Sequence, residues 1–306
     1  MQEDGSRRAI AAAFLANLGI AAAKFVAFFI TGAASMLAEA VHSLADTGNQ
    51  GLLILGAARA KQEATLEHPF GFGRERYFWA FVVAMVLFSL GSMFAIHEGI
   101  DKLRHPHEVV SPAVAIGILA LAIALESWSF RTAIVAANSV RASKSWWSFI
   151  RRSKSPELPV VLFEDLGALL GLVIALVGVT LSAVSGDPRF DAIGSIAIGA
   201  LLGAIAIVLA SEMKSLLIGE SAAKEVRSAI RRSIEASPAV RKLIHMRTLH
   251  LGPDELLVAV KVDFDAGLDL PGLASAIDTL EAAIRHQAPI ARVIYVEPDI
   301  ARSASA

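Results

Sequence analysis

The sequence predicts an α-helical membrane protein with six transmembrane helices, followed by a small C-terminal α+β domain that lives in water. Three observations carry that expectation. Of 306 residues, 55% are apolar and 19% charged, with a mean hydropathy of +0.58; ordinary soluble domains have about 25% charged residues. The charges are segregated: between Ala9 and Ala58 only Lys24, Glu39 and Asp46 are charged, and Leu166–Gly186 and Ala192–Ser211 carry none. From Ile218 to Ala306, by contrast, 23 of 89 positions are charged. The boundary expected from this shift divides a transmembrane domain, residues 1–217, from a cytoplasmic domain, residues 218–306. A net charge of −1 provides no bulk field, so no nucleic-acid partner is expected. The absence of cysteine removes disulfides, thiolate metal sites and cysteine nucleophiles together.

A helix needs about 20 predominantly apolar residues to cross a bilayer. Six stretches meet that length, at 9–30, 35–58, 77–100, 110–131, 159–183 and 190–213. Turn chemistry separates them: Gly32 with Ser35, His68-Pro69, His105-Pro106 with Pro112, Ser155-Pro156 with Pro159, and Gly186-Asp187-Pro188. The first and last of these breaks are very short, so spans one and two, and five and six, read as helical hairpins. Counted over the breaks, twelve Lys and Arg residues fall on one side, from Arg7 through Lys154. Three fall on the other: Lys102, Arg104 and Arg189. The positive-inside rule then puts both termini in the cytoplasm of a multi-pass inner-membrane protein. No cleavable leader is expected, because the first apolar run is long and no small-residue cleavage pattern closes it.

The tail reads as helix, strand, strand, helix, strand. Val226, Ile230 and Ile234 share a helical face within 222–236. Strands are expected at 244–251 and 256–264, the second alternating Leu256, Val258, Val260, Val262 and Phe264 against Leu257, Ala259, Lys261 and Asp263. Gly252-Pro253-Asp254-Glu255 supplies the hairpin turn. A helix from Pro271 to Gln287 and a strand over 291–297 complete an αββαβ order, which suggests a ferredoxin-like sheet with helices on one face.

Ionisable groups at membrane depth are expensive and mark function. Span two holds Glu39, His42, Asp46 and Asn49, spaced by three, four and three residues, so one helical stripe carries them all. His42 and Asp46 lie one turn apart, about 6 Å along the axis, close enough to converge on one ion. Span five adds Glu164 and Asp165, with Asp165 at a depth comparable to Asp46. An imidazole with two or three carboxylates asks for a divalent cation, and the nitrogen favours Zn2+, Mn2+, Fe2+ or Co2+ over Mg2+ or Ca2+. The same groups take protons when the metal leaves. Lys24 in span one reads as a counter-charge to these acids, and Asn17 as either a pathway or a packing group. Glu126, His97 and Glu98 read as packing or interfacial residues. Between Arg141 and Lys154, Trp146, Trp147 and Phe149 sit among basic residues. Two readings stand for them: a stretch lying on anionic headgroups, or an aromatic belt closing span four.

These residues together resemble the cation diffusion facilitator family of metal–proton antiporters, over nearly the whole chain. The segments Glu39-Ala-Val-His-Ser-Leu-Ala-Asp-Thr-Gly-Asn-Gln50, Glu67-His-Pro-Phe-Gly-Phe-Gly73 and Leu162-Phe-Glu-Asp-Leu-Gly-Ala168 are similar to its zinc transporter nine-like branch. The resemblance implies His42 and Asp46 as span-two ligands and Asp165 as a span-five ligand. Val161 stands where most members place a further ligand, so the fourth position falls to Glu164, a water or Asn49. Glu164 lies about 100° around the helix from Asp165. His68 matches a loop histidine of some members, but Phe72 replaces its partner, which leaves His68 to buttress the loop. Lys261 and Val296 stand where relatives with a dimer-bridging tail metal have ligands. His245 and His250 fall on opposite faces of a strand. The tail is therefore expected to dimerise by packing, without a metal of its own.

The expected function is a homodimeric divalent cation–proton antiporter that exports Zn2+ from the cytoplasm, with no permanently bound cofactor. The alternative is a membrane-anchored metal sensor or scaffold that binds without transporting. Neither HExxH nor GxSxG is present to suggest an enzyme, and no GxxxxGK[ST] supplies ATP.

Overall fold

The structure, a computed structural model, describes residues 18–19, 21–26, 28–30, 34–106, 109, 111–141 and 145–301. An apolar helical stretch, α1 (Ala21–Ile30), precedes α2 (Ala34–Arg59). The next helix runs from Glu75 to Arg104 and is built of α3 (Glu75–Val82), a π-helical segment (Val83–Phe88) and α4 (Ser89–Arg104). Then come α5 (Pro112–Arg141), α6 (Trp146–Arg152), α7 (Glu157–Ser185) and α8 (Arg189–Ile218). Among the described residues four helices are long and apolar enough to cross a membrane: Glu75–Arg104, Pro112–Asn138, Glu157–Ser185 and Arg189–Ile218. Half of the first expected span, residues 9–17 with 20 and 27, lies outside the described residues.

The chain divides into two compact units. The first comprises Met1–Gly56 and Phe78–Met213, and the second Ala57–Tyr77 and Lys214–Ala306. Within the first, α7 stops at Gly186, whose φ of 71° only glycine adopts without strain, and Pro188 follows before α8 begins. The helices α4 and α8 approach closely, as small residues permit in membranes. Ser92 Oγ donates to the Gly199 carbonyl at 2.6 Å, and a Cβ on Gly199 would stand 2.5 Å from Ile96.

The second unit contains α9 (Lys224–Glu235), β1 (Val240–Gly252), β2 (Glu255–Phe264), α10 (Leu270–Gln287) and β3 (Ala291–Pro298). Its sheet order is β1-β2-β3, with β1 antiparallel and β3 parallel to β2. A parallel pair needs a crossover, and α10 supplies it. Asp269 caps α10, its carboxylate accepting from the Gly272 amide at 2.9 Å. The alternating set Leu256, Val258, Val260, Val262 and Phe264 is buried in one cluster with Ile230 and Ile234 of α9 and Leu280 and Ile284 of α10. Both helices thus cover the same face of the sheet. The segment between α2 and α3 belongs to this unit: Gly73 touches the β1–β2 hairpin at Leu251 and Gly252, and Arg76 pairs with Asp254 at 2.9 Å.

Candidate functional site

Residues 34 to 59 form continuous helix, so the backbone of α2 puts Glu39, His42, Asp46 and Asn49 on one stripe. The side chains of Glu39, His42 and Asp46 lie outside the described residues. Around them the polar surroundings of α2 are defined. Lys24 of α1, buried, donates from Nζ to Ser43 Oγ at 2.6 Å, and Thr47 Oγ1 donates to the Ser43 carbonyl at 2.9 Å. Asn49 is 2% exposed, and its Oδ1 has no hydrogen-bond donor among the described residues. A buried carbonyl oxygen without a donor is costly unless a water or an ion meets it.

On α7 the two acids diverge, as the 100° step between consecutive helical residues requires. Asp165 faces α5, where Ser129 Oγ donates to its Oδ2 at 3.3 Å. Glu164 is only 3% exposed. It shares its helical face with Gly167, where an added Cβ would meet Ile205 of α8 at 2.9 Å. A carboxylate so enclosed in an apolar helix needs a cation, a proton or donors around it. Among the described residues no three His, Asp or Glu side chains gather closely enough to hold a metal ion. Two of the four expected ligands, His42 and Asp46, are not among the side chains described. The structure thus brings Asp165 to Ser129 and buries Glu164.

Two features escaped the sequence reading. Ser129 was not singled out, though it lies one turn from Glu126 and on the α7-facing side of α5. Lys102, counted above as a loop charge, lies inside α4 and is buried against Asp191 of α8, both side chains 1% exposed. Each lies among other charges, Glu98, Asp101 and Arg104 around Lys102 and Asp187 and Arg189 before Asp191, so nothing in the sequence marked the two as partners.

In the second unit His68 packs edge-on to Phe72, ring centroids 4.7 Å apart, and its carbonyl accepts from the Gly71 amide. His245 is exposed and His250 buried, its Nδ1 donating to the Gly252 carbonyl at 3.2 Å. Lys261 Nζ bridges Glu297 and Asp299 at 2.9 and 3.1 Å. Those two carboxylates raise the Lys261 pKa above its ordinary 10.5.

Against known proteins, the family described as the cation efflux transmembrane domain matches residues 10–218. The chain is 34% identical over 247 residues to the mitochondrial proton-coupled zinc antiporter SLC30A9 of Homo sapiens, covering 79% of this chain and 43% of that protein. It is 28% identical over 267 residues to metal tolerance protein C4 of Arabidopsis thaliana, covering 87% and 58%. With the cation-efflux pump FieF of Serratia proteamaculans it shares 26% identity over 286 residues, covering 94% and 90%. The chain spans less than half the length of the SLC30A9 proteins it matches. A helical membrane unit matched along almost its full length, joined to a small sheet domain, places this chain in the cation efflux (cation diffusion facilitator) family.

Proposed function

We propose that the protein is a divalent cation–proton antiporter that exports Zn2+ from the cytoplasm, using His42, Asp46, Asp165 and Glu164 as ligands. The observation that carries the reading is the α7 pair. Glu164 is 3% exposed within a helix apolar enough to cross a membrane, and Asp165 beside it is oriented by Ser129. Intramembrane carboxylates are retained where an ion or proton pathway needs them. The buried Asn49 oxygen, without a donor among the described residues and on the same stripe as His42 and Asp46, supports a polar pocket along α2. Imidazole and carboxylate bind metal only when deprotonated, so loading Zn2+ displaces protons and unloading readmits them. That competition at one site couples the two flows.

The same proposal includes the parts that frame the site. Six spans cross the membrane, with α1 and α2 adding to the four long apolar helices, and both termini face the cytoplasm. Residues 1–217 transport. Residues 218–306 form a ferredoxin-like domain that pairs two copies into a homodimer. Mn2+, Fe2+ and Co2+ are the alternative cargoes that the donor set admits. The proton-coupled zinc relatives support both the cation and the coupling.

The test is flux in proteoliposomes carrying an internal pH dye. Asp46→Ala and Asp165→Ala each abolish Zn2+-driven proton movement while the protein keeps its size in gel filtration; wild-type flux in both variants rejects the assignment. The divergence of Glu164 and Asp165 favours a second reading, a sensor that holds metal without moving it. That reading requires Zn2+ binding with no accumulation in vesicles.

A further inference from the structure

Beside the turn of α7 that carries Glu164 and Asp165, the membrane unit holds a cavity of about 510 Å3 between α5, α6 and α7, within the range of small-ligand pockets. Phe130 and Ile134 of α5, Ile150 of α6, and Leu162, Phe163 and Leu166 of α7 make its apolar wall. Among the described residues, formal charge enters the lining at one place, Arg141, beside Asn138 and Trp146. From Phe130 to Arg141 the lining runs about 16 Å along α5. The cavity is therefore a long apolar slot with a cationic mouth.

The mouth is built rather than incidental. Arg141 Nε and Nη2 donate to Asn138 Oδ1 at 3.2 and 3.0 Å, and its guanidinium carbon lies 4.5 Å from the centre of the Trp146 ring. These contacts hold the positive charge at one spot. Trp146 meets Phe149 edge-on at 6.4 Å, and Phe149 is buried with Ala137 and Leu162. So α6 is anchored by its apolar side while Arg151 on the same helix remains largely exposed.

A fitting ligand must be long and apolar, with an anion at one end. The helices α5 and α7 are both apolar enough to cross a bilayer, so the molecules bathing this slot are lipids. We infer that the slot binds an anionic phospholipid, one acyl chain along the apolar wall and the phosphate on Arg141. Arginine suits phosphate through charge-assisted hydrogen bonds, and basic groups at the interface select anionic over zwitterionic lipid. Leu162, Phe163 and Leu166 flank Glu164 and Asp165, so a bound chain packs against the turn of α7 that carries both acids.

The experiment uses the purified full chain in detergent, with Trp79, Trp128 and Trp147 replaced by Phe so that Trp146 alone fluoresces. Phosphatidylglycerol and phosphatidylcholine with brominated chains are titrated separately, and quenching is read. Phosphatidylglycerol should bind about fivefold more tightly, the preference one basic group confers. Arg141→Gln should erase the preference, and Ile134→Trp, which fills the slot, should weaken both lipids in a parallel measurement of retained lipid by native mass spectrometry. Inorganic phosphate alone should leave the signal unchanged. Equal binding of the two lipids, an undiminished preference in Arg141→Gln, undiminished lipid retention in Ile134→Trp, or displacement of the lipid by phosphate each overturns the assignment. Neither readout involves flux, so this inference and the antiport reading fail independently.

Discussion

Lys102 of α4 and Asp191 of α8 form an ion pair in which each side chain is 1% exposed. Charged groups are almost never so deeply enclosed unless paired. The pair joins two helices that also meet through Ser92 and Gly199, so one interface combines close backbone approach with a buried charge contact.

Removing one partner should therefore cost more than removing both. Lys102→Met leaves Asp191 buried and uncompensated, a loss of about 3–5 kcal/mol. The double variant Lys102→Met with Asp191→Leu should recover most of that, because well-packed apolar residues commonly replace a buried pair at little net cost. Thermal unfolding of the detergent-solubilised protein measures both. A double variant as unstable as the single one refutes this account of the pair.

Ser129 is expected to act on the metal through Asp165. Its hydroxyl donates to Oδ2 and so orients the carboxylate, and outer partners of this kind typically change metal affinity about 10–100-fold. Ser129→Ala should raise the Zn2+ concentration for half-maximal flux by about tenfold, and Ser129→Thr, which keeps the hydroxyl, should restore much of it. An unchanged half-saturation in Ser129→Ala would show that the contact does not position the ligand.

Local periodicity explains why much of this fold was legible beforehand. The alternation from Leu256 to Phe264 reported a half-buried strand, and those same residues line the core of the second unit. Gly186 and Pro188 marked the turn where α7 ends. What stayed hidden depends on pairs far apart in the chain. Lys102 and Asp191 are 89 residues apart, Ser129 and Asp165 36, and Arg76 and Asp254 178. No local period encodes such partners, so Lys102 read as a loop charge until α8 was placed beside it. The divergence of Glu164 and Asp165 was legible, because helical geometry alone separates neighbours by about 100°. Which helix each would face was not.

Lys261 predicts how the tail responds to alkali. Its hydrogen bonds to Glu297 and Asp299 raise its pKa above 10.5. A group whose folded pKa exceeds its unfolded one contributes stability that is fully present below the unfolded value and lost as pH rises through the folded value. The contribution should thus hold through neutral pH and fade above about pH 10.5. Denaturant unfolding of the full chain, followed by circular dichroism of its sheet between pH 8 and pH 12, expressed as midpoints, should show a decline that Lys261→Met lacks. Parallel pH profiles in the two proteins refute the role.

The fourth ligand is open to a decisive comparison between Glu164 and Asn49. Both are buried in helices of the membrane unit: Glu164 at 3% exposure on α7, and Asn49 at 2% on the stripe of His42 and Asp46. A carboxylate adds a full negative charge to a site for a divalent cation, whereas an amide oxygen adds only a dipole, and hard oxygen donors shift preference toward Mn2+. If Glu164 ligates, Glu164→Gln removes that charge and should weaken Zn2+ binding by at least about tenfold, while Asn49→Leu leaves affinity near wild type. If Asn49 ligates, the order reverses, since Leu deletes the donor and Gln at 164 keeps an oxygen in place. Isothermal titration of the detergent-solubilised protein with Zn2+ and then Mn2+ reads the two cases apart. Wild-type affinity in Glu164→Gln for both metals removes Glu164 from the proposed site.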